Sequence, residues 1–268
     1  MDYKRSEIIV VNSWDRDLTL PNTTSTYFRI NFNSAKRNVA HMTLVSATIP
    51  CTYYNIFQHT INGQLFQNNI IDLYEVLGGL SVSFILQPSS YDMTSLLAHL
   101  ASRLTFYSPN AQTYTCTYDP LQLKISITNT TGGTEFELHF SNTPGKNPSY
   151  MLGFDTDQNS TTSVGYTLTG PNAANLGYPY YSVIKVQPVQ SYVNNLSGLF
   201  GLFKVDLNAN GGNIVYYNDQ YYSQNTVPIS KNAQDINYFL INLCDDYLNN
   251  MDLNGQDWSF TLRLDYFD

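Results

Sequence analysis

Near its end the chain reads Leu253-Asn254-Gly255-Gln256-Asp257-Trp258-Ser259-Phe260-Thr261-Leu262-Arg263-Leu264, and this stretch decides the fold. It opens on an Asn-Gly turn signal and continues as a strand in which large apolar and polar residues alternate. Successive side chains of a strand point to opposite faces. One face is therefore apolar and must pack against a core. The apolar face comprises Trp258, Phe260, Leu262 and Leu264, and the polar face comprises Ser259, Thr261, Arg263 and Asp265.

The same alternation predicts strands along most of the chain. The predicted strands are Tyr27–Asn33, Val39–Ile49, Val82–Leu86, Tyr114–Tyr118, Leu123–Ile127, Phe136–Phe140, Ser182–Val186, Gly201–Leu207 and Asn213–Tyr217. Glu7–Ser13 is instead an apolar run, which predicts a buried strand. The three strands between 114 and 140 are predicted to form a β-meander, because turn signals join them. Ile236–Cys244 fits either a helix face or a buried strand, and the Asp- and Asn-rich loop after it favours the strand.

One helix is predicted at Asp92–Leu104, where apolar residues recur at helical spacing and Ser90 or Asp92 can cap the first turn. About ten strands, one helix and no internal repeat predict an all-β protein, either an antiparallel sandwich or a jelly roll, and not a βαβ sheet. Ser141–Tyr181 is rich in Gly, Pro, Asn, Ser, Thr and Tyr, which predicts a long loop or a small insertion.

Composition and charge restrict the function. Only 13% of the residues are charged, and the chain holds 22 Tyr and 14 Phe. Such a composition is typical of protein–protein contact faces, and also of β-rich domains in general. The net charge is −8 and no basic stripe is present, so direct nucleic-acid binding is not expected. No apolar run approaches the length of a membrane span. Cys51, Cys116 and Cys244 are odd in number and far apart, which predicts buried free thiols in a reducing compartment.

The histidines give no metal or catalytic pattern. His41, His59, His99 and His139 are scattered without ligand spacing, and solvated or hydrogen-bonded roles are expected for them.

Acidic residues are interpreted as turn residues. Asp155–Asn159 begins like a calcium loop, but Ser160 and Tyr166 stand where that loop needs Gly and Glu. Asp15, Asp17 and the pair Asp245-Asp246 are expected to accept hydrogen bonds from nearby backbone amides. No catalytic, cofactor-binding or metal site is therefore predicted, no cofactor is expected, and the chain is interpreted as a non-enzyme.

Several segments, taken together and in order, resemble the penton proteins, the minor capsid proteins at the vertices of viruses built from double-jelly-roll major capsid proteins. This lineage includes polinton-like viruses, virophages and large nucleocytoplasmic DNA viruses. The segments are Asn12-Ser13-Trp14-Asp15-Arg16-Asp17 with Pro21 and the strand Tyr27–Phe32, Ile49-Pro50-Cys51-Thr52-Tyr53-Tyr54-Asn55-Ile56, Tyr91 before the helix, Met151-Leu152-Gly153-Phe154, and the closing strand Leu253–Leu264.

The resemblance implies one single jelly-roll domain over residues 1–268, with one short helix, long loops and a loop insertion at about 141–181. It also implies a structural virion protein, in which homopentamers close the icosahedral five-fold vertices and contact trimers of the major capsid protein. The protein would then be made in the host cytoplasm or a virus factory and reside in the capsid. Six residues are expected in the core between the sheets, namely Trp258, Phe260, Leu262, Phe28, Ile30 and Phe32.

Two alternatives remain open at this stage. One is a cement or fibre-base protein between other capsid subunits. The other is a carbohydrate-binding β-sandwich, in which the aromatic residues of 177–181 and of Tyr221-Tyr222 stack on sugar rings. If a host-facing surface exists, it is expected in Ser141–Tyr181, because binding variation concentrates in long polar loops.

Overall fold

The computed structural model describes residues 5–143, 146–155, 157–159, 166–177, 179, 181–190, 201–207, 214–218, 226–229 and 235–267. The elements are β1 (Arg5–Asn12), β2 (Tyr27–Lys36), β3 (Val39–Pro50), β4 (Gln58–Ile61), β5 (Gln64–Gln67), β6 (Ile70–Glu75), β7 (Leu80–Ile85), α1 (Met93–Tyr107), β8 (Tyr114–Asp119), β9 (Lys124–Asn129), β10 (Phe136–Leu138), α2 (Ser149–Leu152), β11 (Gln158–Asn159), β12 (Thr167–Thr169), β13 (Tyr181–Gln190), β14 (Gly201–Asp206), β15 (Ile214–Asn218), β16 (Thr226–Pro228), β17 (Ile236–Cys244) and β18 (Ser259–Tyr266).

The chain packs as two compact units. The first, here called the jelly-roll unit, comprises Met1–Tyr53, Thr60–Gln64 and Pro179–Asp268, and the second comprises Tyr54–His59 and Leu65–Tyr178. The sequence predicts one domain over 1–268 with an insertion at about 141–181. That domain assignment stays a prediction. The strands of the jelly roll come from the two ends of the chain, and the second unit is formed by the residues between them.

The jelly-roll unit takes its name from its strand order. One sheet has the order β1-β18-β3-β15, with β16 also paired to β3, and the other has the order β2-β17-β13-β14. Every pair is antiparallel. The two sheets have eight main strands when the short β16 is left out: β1, β2, β3, β13, β14, β15, β17 and β18. If these are numbered 1 to 8 along the chain, the first sheet has the order 1-8-3-6 and the second has the order 2-7-4-5. This is the order of an eight-stranded jelly roll, so the predicted fold class is confirmed.

Side chains from both sheets form one core. The closing strand behaves as its alternation predicts: Trp258, Phe260 and Leu262 are buried. Phe28 of the opposite sheet is fully buried, and its ring lies 6.1 Å from that of Trp258 in an edge-on arrangement. Ile30 and Phe32 are only partly buried and pack against the edge of the same core. All six predicted core residues therefore contact one cluster.

One residue of the closing strand departs from the alternation. Asp265 is predicted on the polar face, but it is buried and accepts a hydrogen bond from Ser6 Oγ at 2.7 Å. The pairing of β18 with β3 shifts register between Asp265 and Tyr266. The extra residue at this bulge is Ala40 of β3. Ser6 supplies the donor that the buried Asp265 carboxylate needs.

The second unit contains two small sheets and the main helix. The sheets have the orders β11-β10-β6-β7 and β12-β9-β8, and α1 packs on β8 and β7. The predicted hairpin of β8 and β9 is confirmed, but the predicted meander is wrong at its third strand: β10 pairs with β6 and β11. The connection before β10 is bound to the segment directly after β6. Val76 N donates to Glu135 O at 3.0 Å, and Leu77 N donates to Thr134 Oγ1 at 2.8 Å.

Helix α1 confirms the predicted helix and its cap. Asp92 is the N-cap: its carboxylate accepts from Ser95 N at 2.7 Å, while Ser95 Oγ accepts from Asp92 N at 3.1 Å. This reciprocal pair is a capping box. The helix ends at Tyr107, about one turn beyond the prediction, where the Tyr107 ring stacks on Phe84 at 5.4 Å. In the described part of the chain no helix is long and apolar enough to cross a membrane.

Ile236–Cys244 forms strand β17, which confirms the strand that the sequence favours over a helix. The segment Ser141–Tyr181 is less exposed than expected, because Met151, Leu152 and Phe154 are buried in the second unit. A host-facing surface in this segment stays a prediction, and these three buried side chains cannot be part of it. The segment contains the single-turn helix α2, which periodicity over four residues cannot reveal.

Candidate assembly surface

The residues of the first penton-like segment serve mainly as structural anchors. Ser13 is buried and donates from Oγ to Asp257 Oδ1 at 2.6 Å, and its backbone N donates to Trp258 O at 2.9 Å. Arg16 Nη1 donates to the same Asp257 oxygen at 2.9 Å and to Ser13 O at 2.8 Å. The first and last penton-like segments thus hold each other, and this interaction ties the end of β1 to the start of β18.

Asp17 is a turn residue, as predicted. Its carboxylate accepts from Thr19 Oγ1 at 2.6 Å and Thr19 N at 2.8 Å, and also from Arg29 Nε at 2.9 Å and Asn31 Nδ2 at 2.7 Å. These hydrogen bonds, with those from Thr19 and Arg29 foremost, hold the pKa of Asp17 well below its usual range. A carboxylate with all these donors stabilises the loop before β2 and is not a general acid.

Asp245 fills the same role after β17. Its Oδ1 accepts from the backbone nitrogens of Tyr247 and Asn249, at 2.9 and 2.8 Å. The prediction of a turn-forming carboxylate is confirmed here as well.

The segment Ile49–Ile56 is tied to two of the other penton-like segments. In the jelly-roll unit, Thr52 Oγ1 donates to Leu253 O at 2.7 Å, and Asn254 Nδ2 donates to Thr52 O. In the second unit, Asn55 Nδ2 donates to Tyr91 O at 2.8 Å, and Asn55 Oδ1 accepts from Tyr91 N at 2.9 Å. This reciprocal pair fixes the start of α1 against the segment that follows β3.

Gly153, in the Leu-Gly-Phe segment, has a conformation that requires glycine. It ends α2 with φ +83°, and a Cβ there would lie 2.4 Å from the backbone oxygen of Asn172. Both the left-handed backbone and the close approach exclude a side chain.

One edge of the jelly-roll unit is apolar and exposed. Strand β1 is at the end of its sheet and pairs on one side only, with β18, among the described residues. Its inward face carries Val11, while Ile8 and Val10 on the outward face are 57% and 64% exposed. A strand edge with free backbone groups and apolar side chains is a surface on which another chain can pack.

Strand β2 lies on the same flank as β1. Lys36 Nζ of β2 and Glu7 Oε1 of β1 form an ion pair at 2.6 Å. Hydrogen bonds from Lys36 and Tyr266 lower the pKa of Glu7, so this carboxylate is ionised at neutral pH. We call the edges of β1 and β2 the first flank.

The opposite edge is formed by β14, which pairs only with β13 in the described chain. Its outward residues are Leu202, which is 47% exposed, and the exposed ion pair of Lys204 with Asp206 at 2.9 Å. We call this edge the second flank. The two flanks differ in their exposed side chains.

The histidines and the calcium-like loop take part in hydrogen bonding. Gln87 N donates to His99 Nε2 at 3.1 Å, and burial lowers the pKa of His99. Asp155 accepts from Asn172 Nδ2 at 2.6 Å, and Asp157 accepts from Ser141 Oγ at 2.6 Å. The two carboxylates therefore face different partners. Across the described ranges, no group of three or more His, Cys, Asp or Glu residues is arranged to hold a metal ion.

The three cysteines differ in burial. Cys51 and Cys244 are buried and Cys116 is half-buried. Burial raises the pKa of Cys244 to about 12. Cys116 and Cys244 are free thiols, as predicted.

Comparison with known proteins yields structural matches only. No family model matches the chain, and no curated protein matches it. Twelve chains of solved structures match. One of them is a penton protein. It is the crystal structure of the selenomethionine-labelled mavirus penton protein, matched with a TM-score of 0.47 and 10% sequence identity over 98% of this chain and 100% of that chain. The jelly roll is assigned from this chain's own strand order.

The sequence predicts the core and the turn carboxylates Asp17 and Asp245, but it does not predict which residues are exposed. Trp14 is part of the quoted first segment, yet nothing in the sequence indicates that it is 77% exposed while Trp258 is buried. Ile8 and Val10 lie in an apolar run that suggested a buried strand. The tyrosine clusters of 177–181 and 221–222 fall largely outside the described residues; Tyr181 is described, and Lys204 Nζ lies 4.5 Å from its ring centroid.

Proposed function

We propose that this protein is a structural capsid subunit of the penton type. Five copies form a ring at an icosahedral five-fold vertex, and the ring contacts the surrounding trimers of the major capsid protein. The observation that carries this proposal is the exposed apolar edge of β1, on a jelly roll whose anchoring segments resemble those of penton proteins. The protein is made in the host cytoplasm or a virus factory and acts in the virion without catalysis.

A ring requires two different complementary surfaces on each copy, because a cyclic assembly uses head-to-tail contacts. The two flanks of the jelly-roll unit meet this requirement. In the proposed ring, Ile8 and Val10 on the first flank of one copy pack against Leu202 and the neighbouring part of β14 on the next copy. Packing there removes two largely exposed apolar side chains of β1 from water.

Charge works against assembly and makes it depend on salt. Each chain carries −8, so five copies carry −40. Self-repulsion of this size favours separate subunits at low ionic strength, and salt screens it. The ion pairs of Lys36 with Glu7 and of Lys204 with Asp206 leave each flank with little net charge of its own at these positions, which suits a contact between copies.

The test compares two lysine substitutions by sedimentation-velocity ultracentrifugation. Val10→Lys places a charge at the centre of the proposed contact, and Leu121→Lys makes the same kind of change at a side chain that is 94% exposed in the second unit. Burying an unpaired charge is strongly unfavourable. Val10→Lys is therefore expected to sediment as a monomer at concentrations where wild type and Leu121→Lys are pentamers.

Circular dichroism melting serves as the folding control, since surface substitutions outside special features usually change stability by less than about 0.5 kcal/mol. A Val10→Lys protein that assembles like wild type would show that β1 is not in the contact. A wild-type protein that remains monomeric would contradict the proposed ring.

A further inference from the structure

A groove of about 400 Å³ lies on the outer face of the jelly-roll unit, at the end of β1. Its floor is a row of polar side chains on three adjacent strands, Asn12 of β1, Ser259 of β18 and Thr48 of β3, which are paired in register. Trp14 and Asp15 line one part of the groove, and Pro50, Gln256 and Asp257 line another. The volume lies within the usual range for small-molecule sites, about 300–1,000 Å³.

Trp14 is held as an exposed aromatic surface beside this floor. Its ring is 77% exposed, whereas tryptophan is on average one of the more buried residues. Its two neighbours are fixed: Ser13 is buried and bonded to Asp257 and Trp258, and Asp15 Oδ2 accepts from Asn12 Nδ2 at 3.2 Å. The indole therefore contributes little to the core, and its backbone is already ordered before any ligand binds.

The polar groups of the groove have unused hydrogen-bonding capacity. Asp257 uses Oδ1 for both Ser13 and Arg16, and its Oδ2 accepts nothing from the described residues. The Gln256 amide makes no hydrogen bond within the described chain, and Asn12 uses only its amino group, leaving its carbonyl oxygen. The groove thus offers planar amide and carboxylate groups to a ligand rich in hydroxyls.

Charge selects against an anionic ligand. Arg16 pairs with Asp257 at 2.9 Å, which leaves Asp15 as the one uncompensated charge among the residues that line the groove. A phosphate, sulfate or carboxylate bound there would meet a like charge. A neutral ligand would not.

We propose that this groove binds a neutral saccharide, one sugar ring of which stacks on Trp14. A pyranose has an apolar face of C–H groups and a rim of hydroxyls, and the groove pairs an indole with acceptors and donors for that rim. The inference places sugar binding at the end of β1 and not at the tyrosine clusters. It does not rest on the ring proposal, because every residue involved belongs to one copy.

The experiment uses the full-length protein on an array of neutral and sialylated glycans, followed by fluorescence titration with the neutral glycans that bind. Trp14 and Trp258 are the two tryptophans of the chain, and only Trp14 is exposed. The saccharide is expected to change the emission of wild type and to protect it from acrylamide quenching. This change is expected to vanish in Trp14→Phe, which retains the buried Trp258 signal.

Affinity is then measured by calorimetry on three variants. Trp14→Ala is expected to weaken binding about tenfold or more, the equivalent of one stacking contact, and Trp14→Phe to weaken it less. Phe106→Ala, at a side chain that is also 77% exposed but lies on α1, is the matched control and should bind like wild type. The oligomeric state of each variant is measured in parallel.

Three results would overturn the inference: no neutral glycan bound on the array, a preference for sialylated glycans, or equal binding by wild type and Trp14→Ala. If Trp14→Ala loses assembly while glycan binding is absent from wild type, Trp14 is a contact between subunits and not part of a sugar site.

Discussion

Replacement of Trp258 by Ala is expected to be among the most damaging single changes in the jelly-roll unit. The side chain is 4% exposed, its ring stacks on Phe260 at 5.0 Å and meets the edge of Phe28 at 6.1 Å, and Nε1 donates to Ser25 O at 2.7 Å. Removing a buried Trp costs about 3–5 kcal/mol. The buried carbonyl of Ser25 would in addition lose its donor, at about 1–3 kcal/mol.

The two contributions overlap, so we expect a loss of about 4–6 kcal/mol in the free energy of unfolding. Trp258→Phe separates them, because it keeps an aromatic ring in the core and removes only the donor; a loss of about 1–3 kcal/mol is expected for it.

The assay is urea denaturation followed by far-ultraviolet circular dichroism, with Trp14→Ala as the matched control. Trp14 lies in the same unit and is 77% exposed, so its replacement should shift the free energy of unfolding by less than about 0.5 kcal/mol. A Trp258→Ala protein within 1 kcal/mol of wild type, or a Trp14→Ala protein equally destabilised, would refute the assignment of the core.

Three further predictions concern a glycine, a helix cap and a carboxylate. Gly153→Ala should lower the melting temperature measurably more than Gly63→Ala, because both have positive φ but only Gly153 would place Cβ against a backbone oxygen. Asp92→Ala removes the capping box of α1 and should cost about 1 kcal/mol in urea denaturation. The folded-state pKa of Glu7 is lowered, so its stabilisation is present above the unfolded pKa of about 4.3 and is lost as pH falls through the folded pKa. Glu7→Gln should therefore be less stable than wild type at pH 7, and the difference should shrink below about pH 4 in pH-dependent melts. Equal losses for the two glycines, an unchanged helix-cap variant, or a Glu7→Gln difference independent of pH would each contradict the corresponding argument.

Salt provides a separate prediction for assembly. The fraction of pentamer should rise with ionic strength, because five copies carry −40 and screening reduces their repulsion. Sedimentation at low and moderate salt, with and without calcium, measures it. Association that does not change with ionic strength would contradict the electrostatic argument.

The fold could be predicted from the sequence where alternation or helical spacing is long and regular. The closing strand β18 and helix α1 with its Asp92 cap follow from local patterns of eight residues or more. The pattern of β17 fits a helix or a strand, and the loop after it favours the strand. The third strand of the supposed meander shows where this reasoning fails. Strand β10 has only three residues, and its partner β6 lies about sixty residues earlier in the chain. A long-range pairing of this kind leaves no local signal.

The candidate surfaces were less predictable than the core. Exposure of Trp14, Ile8 and Val10 depends on which strand is at the edge of the sheet, and composition cannot show that. The penton-like segments are recognisable because anchors such as Ser13 with Asp257, Asn55 with Tyr91, and Gly153 require particular residue types. These residues stabilise the fold. The segments that contain them therefore indicate the fold more clearly than they indicate a binding surface.

Closure of five copies of this chain into a ring is best tested by native mass spectrometry of the purified protein. Five chains of 30.4 kDa give 152 kDa, so a dominant species of that mass at moderate ionic strength is the predicted result. A monomer at every concentration and ionic strength, or a closed assembly of any other number of chains, would contradict it.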